Sequence, residues 1–479
     1  MRSCVHSRRD FLKTVAFGAA ALAAPQMFSQ ASSPREKPNL IIIFCDDLGY
    51  GDLGCFGSKV HRTPNIDRMA EEGMRLTSFY VTSGVCTPSR ASLLTGCYPR
   101  RVNMHVSDRN ECVLFPVAKK GLNPDEITIA EVLKEQGYAT ACMGKWHLGD
   151  QPPFLPTRQG FDYYCGIPYS NDMGARQRRK NPPLPLLRNE KVIEAPVDQN
   201  TITKRYTDEA IKFITANRDK AFFLYLPHTM PHNPVHASER FRGKSANGGY
   251  GDAVEEINWS TGEILATLKK LGIDNRTLVL FTSDNGAASR WGGGNAPLSG
   301  WKGSTMEGGM RVPCVVRWPG RIPAGKTCDE LASTLDLLPT FARLAGARPP
   351  SDRIIDGKDV WPLMSGKPGV KSPHQAFYYY QMDQLQAVRS GRWKLHLPLK
   401  MKKRNWGKGI PNTPLQLFDL KADNAETTNL AADHADVVKR LLALAEKARE
   451  DLGDTGRQGK NQRPAGSVST PKPLLLSAK

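Results

Sequence analysis

Leu40-Ile41-Ile42-Ile43-Phe44-Cys45-Asp46-Asp47 runs five apolar residues into two carboxylates. An unbroken apolar run of this length suits a strand buried on both faces, the kind found inside a parallel sheet. Its polar end then lies at the carboxyl edge of the sheet, where open α/β folds bind ligands. Three later runs repeat the pattern. Tyr138 to Met143 ends at Gly144-Lys145-Trp146-His147, and Phe222 to Leu226 ends at Pro227-His228, closely followed by Pro231-His232-Asn233-Pro234. Thr277 to Phe281 ends at Thr282-Ser283-Asp284-Asn285-Gly286. Any one polar end reads most simply as a strand-to-loop boundary, whereas four with complementary chemistry argue for one site.

Helical patterns separate these strands. Thr63-Pro64 opens one, Thr128-Ile129-Ala130-Glu131 has the form of a capping box, and Tyr206, Ala210, Phe213 and Ile214 share a helical face. Asp252 to Leu271 is a longer helix stopped by Gly272. Helices alternating with apolar strands predict right-handed crossovers and a large mixed, mostly parallel sheet covered on both faces. From about residue 371 the character changes to short strands, Tyr378-Tyr379-Tyr380, Gly391 to Leu395 and Leu415 to Leu420, with an amphipathic helix from Asp436 to Glu450. We therefore expect a catalytic domain over 36–370, a smaller C-terminal α+β subdomain over 371–453, and a disordered tail over 454–479, where Gly, Ser, Pro and charge prevail.

The 479 residues, 40% of them hydrophobic, have an ordinary globular composition. Arg8 and Arg9 stand before a short apolar run, Thr14 to Ala24, so 1–31 reads as a twin-arginine export signal. No stretch approaches the length of a transmembrane helix, and the mature chain is expected in the periplasm or secreted. Of ten cysteines, one lies in the signal, and the spacing of the rest is not that of a zinc site. Disulfides stay open. The net charge of +19 favours an anionic partner, but no nucleic-acid-binding module accompanies it.

Ser83 to Gly96 places Cys86 just ahead of a helix, with Thr87 as the expected N-cap, Pro88 at the first helical position, Arg90 in the first turn and Gly96 as the stop. A helix N-terminus welcomes an anion. Asp46, Asp47, Asp284 and Asn285 offer only oxygen ligands, which implies a hard divalent cation, calcium more readily than magnesium.

The order Cys86-x-Pro88-Ser89-Arg90 resembles the signature of the type I sulfatases, members of the alkaline phosphatase superfamily whose cysteine is oxidised to formylglycine. The resemblance extends from Asn39 to Leu430, through Asp46 to Asp52, Gly144 to Gly149, Gly166 to Asp172, Ser283 to Gly286, Lys302 to Pro313 and Leu417 to Leu420. Within the family it resembles the arylsulfatase A and N-acetylgalactosamine-6-sulfatase group. It implies an alkaline phosphatase-like fold and hydrolysis of sulfate esters of carbohydrates or aryl alcohols. A hydrated formylglycine at 86 would attack sulfur while bound to one calcium ion held by Asp46, Asp47, Asp284, Asn285 and residue 86 itself. Arg90 would hold the hydrate, with Ser170 and His147 bonded to it and His147 the base for sulfate release. Lys145 and Lys302 would neutralise sulfuryl charge, and His232, or failing it His228, would protonate the leaving oxygen. The family's maturation partners would be a formylglycine-generating enzyme and the twin-arginine translocase, so conversion of Cys86 would precede export.

Two other readings share these residues. Phosphate or phosphonate ester hydrolysis on the same fold is weakened by Asn285, where two-metal relatives commonly carry histidine. A non-catalytic binder of sulfated glycans follows if Cys86 is never converted. The insertion from Arg176 to Lys191 is basic and proline-rich, so a surface loop at the active-site mouth is expected, with Lys400, Lys402, Lys403, Arg404 and Lys408 facing the same opening and together drawing in polyanionic substrates.

Overall fold

The computed structural model describes residues 37–175, 181–402 and 410–476. The expected export signal, Arg176 to Lys180, Lys403, Arg404 and Lys408 lie outside the described residues. The main sheet contains β1 (Asn39–Cys45), β2 (Met74–Leu76), β3 (Ala139–Met143), β4 (Tyr163–Gly166), β5 (Leu186–Arg188), β6 (Lys191–Glu194), β7 (Phe222–Pro227), β8 (Thr277–Ser283), β9 (Val315–Arg317) and β10 (Lys326–Cys328). Their spatial order is β10-β2-β9-β8-β1-β7-β3-β4-β5-β6. The five central strands, β8 to β4, run parallel, while β9 and β5 flank them antiparallel and are in turn paired antiparallel by β2 and β6. This is the large, mixed, mostly parallel sheet that the alternating pattern predicts.

β1 is central because both of its faces are apolar. Leu40, Ile42 and Phe44 enter one core, whereas Ile41, Ile43 and Cys45 enter the other, and all are fully buried. Each such side chain withdrawn from water contributes roughly 1.5–3 kcal/mol. The second face is covered by α1 (Pro64–Glu71), α4 (Ile202–Ala216) and α5 (Gly248–Lys270). On the first face lie α2 (Cys86–Thr95), α3 (Ile129–Glu135) and α6 (Leu337–Leu344). The Thr128 capping box forms as expected: its hydroxyl accepts from the Glu131 amide, and the Glu131 carboxylate accepts from the Thr128 amide.

The C-terminal subdomain is a four-stranded antiparallel sheet, β11 (Phe377–Gln381), β12 (Gln384–Ser390), β13 (Trp393–His396) and β14 (Gln416–Asp419), backed by α7 (Ala435–Asp451). Its Phe377, Tyr379, Leu395 and Leu441 continue the core on the first face of the main sheet.

Two expectations need correction. The tail beyond Asp454 is ordered through Leu476: Gly466 and Ser467 pair with Gly121 and Lys120, Arg463 binds Glu126 at 2.7 Å, and the Lys472 amide bonds to Gln151. Polar composition is offset here by long-range pairing. The later part of the 176–191 insertion is also no solvated loop, because β5 and β6 form a hairpin on the end of the sheet with Leu184, Leu186 and Leu187 buried. All nine described cysteines are free thiols.

Candidate active site

Parallel register brings the polar ends of the central strands to one level. Cys45 of β1 pairs with Ser283 of β8, and Phe44 with Pro227 of β7, so Asp46 and Asp284 emerge side by side. Two residues in this turn region depart from ordinary backbone geometry: Asp47 and His147 have φ of 66° and 61°. Non-glycine residues rarely adopt the left-handed region, and where they do a site commonly exploits the turn. Asp47 is held by its amide, which donates to Asp284 Oδ1 at 3.1 Å.

Helix α2 delivers Cys86 from the other side. The helix begins at Cys86 rather than after Thr87, with extended Val85 in the N-cap position, and it ends at Gly96 with φ of 67°. Thr87 does not cap it. Its hydroxyl instead donates to the His147 carbonyl and accepts from the Leu114 amide, stitching the helix start to two neighbouring loops. Pro88 is tolerated one turn in because the first amides of a helix have no internal partner. Cys86 is buried, and burial pushes its thiol up from the usual cysteine range. It is therefore a protonated, weakly nucleophilic thiol.

The charged residues converge around it. Arg90, wholly buried, donates to Asp284 Oδ2 at 2.8 Å and to the Lys145 carbonyl at 2.9 Å, and lies 3.6 Å from Asp46 Oδ2. Lys145 Nζ donates to Asp46 Oδ2 at 2.5 Å and to Ser170 Oγ at 3.3 Å. Lys302 Nζ lies 2.6 and 2.8 Å from the two oxygens of Asp47, and the Asn285 amide donates to Asp47 Oδ1 at 2.7 Å. Burial works against ionisation of Asp46, but Lys145, His232, Arg90 and Lys302 together hold its carboxyl well below the usual range. Asp284 shifts the other way, raised by burial and by the neighbouring Asp46 charge. Arg90 thus contacts the carboxylates that the resemblance gives to the cation, in addition to standing near residue 86.

Oxygen donors and two unsatisfied atoms fit a hard cation. Asp46 Oδ1 and Asn285 Oδ1 are buried acceptors without a hydrogen-bond donor. Ligand atoms of Asp46, Cys86 and Asp284 lie within 4.8 Å of one another, as do those of Asp46, Asp47 and His232. Both groupings found among the described residues include Asp46, so they describe one locus. The oxygen atoms of Asp46, Asp47, Asp284 and Asn285 can hold a metal ion there, with Cys86 and His232 beside them.

The histidines divide by position. His147 Nε2 donates to the Leu114 carbonyl at 2.9 Å, which fixes the tautomer and leaves buried Nδ1 without a donor. Burial and Lys145 hold His147 well below its ordinary value, so the ring is neutral. His232 Nδ1 donates to Asn171 Oδ1 at 2.9 Å and turns Nε2 towards Asp47, 3.7 Å away. His228 is fully buried, sits 3.4 Å from Ser260 Oγ and does not line the site.

Cys86, Asp47, His147, Ser170, His232 and Lys302 open onto one cavity of about 960 Å³. Sequence reasoning missed its outer wall: Glu111, Cys112 and Phe115 from one loop, and Arg290, Trp291 and Trp301 from another. It also missed the Asn171 side chain as the orienting partner of His232. The exposed Trp pair is the signal that was available. Among the described residues the lining includes neither 181–191 nor Lys400, and it mixes Arg290 and Lys302 with Glu111 and Asp172. Most cations of the expected basic funnel, Arg176 to Lys180 with Lys403, Arg404 and Lys408, lie outside the described residues.

Comparison with known proteins gives the same reading. Residues 38–347 match the family model described as Sulfatase, and 301–451 match the C-terminal model of N-sulphoglucosamine sulphohydrolase. N-acetylgalactosamine-6-sulfatase of Canis lupus familiaris is 42% identical over 76% of this chain and 73% of its own length. Arylsulfatase A of Homo sapiens is 38% identical, with 85% of each chain covered. A crystal structure of Ps i-CgsB in complex with k-i-k-neocarrahexaose superposes with a TM-score of 0.74 at 32% identity, covering 86% of this chain and 92% of that one. A family model spanning most of the chain and relatives of this identity and coverage together mean that this chain belongs to the sulfatase family and is a sulfuric ester hydrolase.

Proposed function

We propose that the protein hydrolyses sulfate esters of carbohydrates outside the cytoplasm, with formylglycine at position 86 and one calcium ion held by Asp46, Asp47, Asp284 and Asn285. The observation that carries the reading is Cys86 itself: a buried thiol, pushed up by burial, faces a cavity ringed by Lys145, Lys302, His147 and His232. A protonated thiol is a poor nucleophile, and conversion to formylglycine would place an oxygen nucleophile at the start of α2, within that ring of charged and titratable groups. Formylglycine supplies an oxygen nucleophile there, and calcium supplies Lewis-acid charge.

This chain's own residues do the rest. Lys145 and Lys302 neutralise oxygens of the sulfuryl group as charge builds. His147 accepts a proton at Nδ1, the atom its backbone bond leaves open. His232 protonates the leaving oxygen from Nε2, held in line by Asn171. Burial and Lys302 keep His232 below its ordinary value in the free site; an incoming sulfate ester brings negative charge that raises it towards the protonated form. A carbohydrate substrate is supported by the oligosaccharide bound to a structural relative and by N-acetylgalactosamine-6-sulfatase among the sequence relatives.

Mass spectrometry of the peptide containing residue 86, from exported protein, should find the aldehyde in place of the thiol. Cys86→Ser, made in a host that matures only cysteine, should fold and bind calcium but keep less than about a tenth of the turnover. A fully active enzyme with an unconverted Cys86 overturns the mechanism. Asp284→Asn should weaken calcium binding and turnover together, as calorimetry and kinetics on the same preparation would show.

A further inference from the structure

Trp291 and Trp301 are the two exposed tryptophans among the described residues, at 53% and 43%, and both line the cavity that holds Cys86. A tryptophan left in water forgoes the burial that usually fixes this residue, and an apolar face at the mouth of a site marks a binding surface. We infer that they form a stacking platform for sugar rings beyond the sulfated unit, a subsite that would give the enzyme preference for oligosaccharides. This inference rests on the carbohydrate reading above.

The loop that presents them is built to stay open. Ala287 and Lys302 close its base, the Lys302 amide donating to the Ala287 carbonyl at 3.0 Å. Buried Asn295 clamps the interior: its amide nitrogen donates to the carbonyls of Ala287 and Gly300, and its oxygen accepts from the Ala287 amide. Beyond Trp291 the backbone is pinned, the Gly292 carbonyl by Asn247 at 2.7 Å and the Gly294 amide by Asp52 at 2.8 Å. Trp301 is held by its own turn, its amide donating to Ser304 Oγ and its carbonyl accepting from the Ser304 amide. A closed loop with fixed ends and projecting aromatic rings is pre-organised, so little ordering remains to oppose ligand binding.

The surroundings select the class of ligand. Glu111, Ser289, Arg290 and Asn233 line the same cavity and are exposed or half-buried. A sterol or other hydrocarbon would strip water from these groups without replacing their hydrogen bonds, which is costly. A pyranose offers both what the tryptophans need, an apolar face of C–H bonds, and what the polar wall needs, a rim of hydroxyls. Trp301 directly precedes Lys302, so the platform continues outward from the charged floor of the site. Arg290, with φ of 71°, stands beside Trp291 and suits a further sulfate on the neighbouring sugar.

The test compares kcat/KM for a sulfated hexasaccharide of the carrageenan type, or of a glycosaminoglycan, with that for the matching sulfated monosaccharide. Trp291→Ala should lower the hexasaccharide-to-monosaccharide ratio about tenfold, through KM rather than kcat, because the lost contact is made equally in ground and transition states. Trp291→Phe should restore most of it, and Trp301→Ala should weaken the hexasaccharide in the same way. If the wild type cleaves hexasaccharides and the ratio is unmoved in Trp291→Ala, the platform is overturned while the carbohydrate reading stands. If the variants lose only an apolar aryl sulfate, the surface takes a hydrocarbon and the inference fails. If the wild type cleaves aryl sulfate but no sulfated sugar of any size, the carbohydrate reading falls and the platform falls with it.

Discussion

His228 and His232 are four residues apart, of the same chemical type, and distinguishable only once the chain is folded. The family resemblance favours His232, and geometry gives the reason: its Nδ1 is anchored on Asn171 and its Nε2 faces the cavity, whereas His228 is enclosed beside Ser260. His232→Gln should therefore lower kcat at least about a hundredfold on a substrate with a poor leaving group, the size expected for a lost general acid. His228→Gln should stay within about threefold. Its effect appears in stability instead. Burial pushes the His228 imidazole down to about 3, so the folded chain keeps it neutral while the unfolded chain protonates it below about pH 6.5. Stability from this group is fully present above that pH and is lost as pH falls towards 3, at about 1.4 kcal/mol per unit. Urea titrations at pH 7 and pH 5 check the sign: wild type should lose more stability over that interval than His228→Gln does.

The central strands β1, β3, β7 and β8 were legible because each is a short apolar run closed by polar residues, whereas the short edge strands β5 and β6 were not, and the capping box at Thr128 was legible because both of its partners lie within four residues. Turns after the strands were not, since their shape depends on what passes beside them. Gly144 shows why. It has φ of 139°, and a Cβ there would lie 1.9 Å from the Pro227 carbonyl oxygen of β7, so only glycine lets β3 turn into Lys145 and His147. Gly144→Ala should cost at least about 2 kcal/mol in equilibrium unfolding, since a left-handed backbone alone costs 1–2 kcal/mol and a backbone clash adds to it. Turnover should fall as well, because Lys145 and His147 shift. Gly137 is the control. Its φ is 81° but nothing lies within 4 Å of an added Cβ, so Gly137→Ala should cost about 1 kcal/mol of backbone strain and leave kinetics intact. The left-handed Asp47 and His147 escaped sequence reasoning for the same cause: neither is glycine, and the contacts that hold them come from β8 and from Pro168.

At the scale of the whole molecule, the C-terminal subdomain reads from sequence as an appendage, yet it helps hold the active site. Lys394 of β13 is fully buried between two carboxylates, 3.0 Å from Glu307 and 2.8 Å from Glu426, and its Nζ also donates to the Thr305 carbonyl at 2.8 Å. Glu426 accepts from the Glu307 amide at 2.7 Å and from Ser299 at 3.3 Å, while Glu307 receives the hydroxyls of Tyr80 and Tyr379. Everything in this list is anchored on one side to the segment Ser299 to Glu307, which carries Trp301 and Lys302. No local pattern could reveal it, because bonded members such as Tyr80 and Glu307 stand 227 residues apart, nearly half of the chain. Both carboxyls are held below their usual range, against burial, chiefly by Lys394. Lys394→Met removes the cation that Glu307 and Glu426 share, leaving Glu426 with His396 at 2.8 Å and Glu307 with Arg311 at 3.5 Å, and should cost about 3 kcal/mol, the low end for removing one partner of a buried pair. Adding Glu426→Gln removes the repulsion between the two carboxylates and should recover part of that loss, a non-additivity that separates the network from simple packing. If the network positions Lys302, the double variant should refold yet keep a raised KM for sulfate esters, since the Thr305 tether is still missing. A double variant with wild-type stability and wild-type KM would mean that the subdomain only covers the core and plays no part in placing the catalytic lysine.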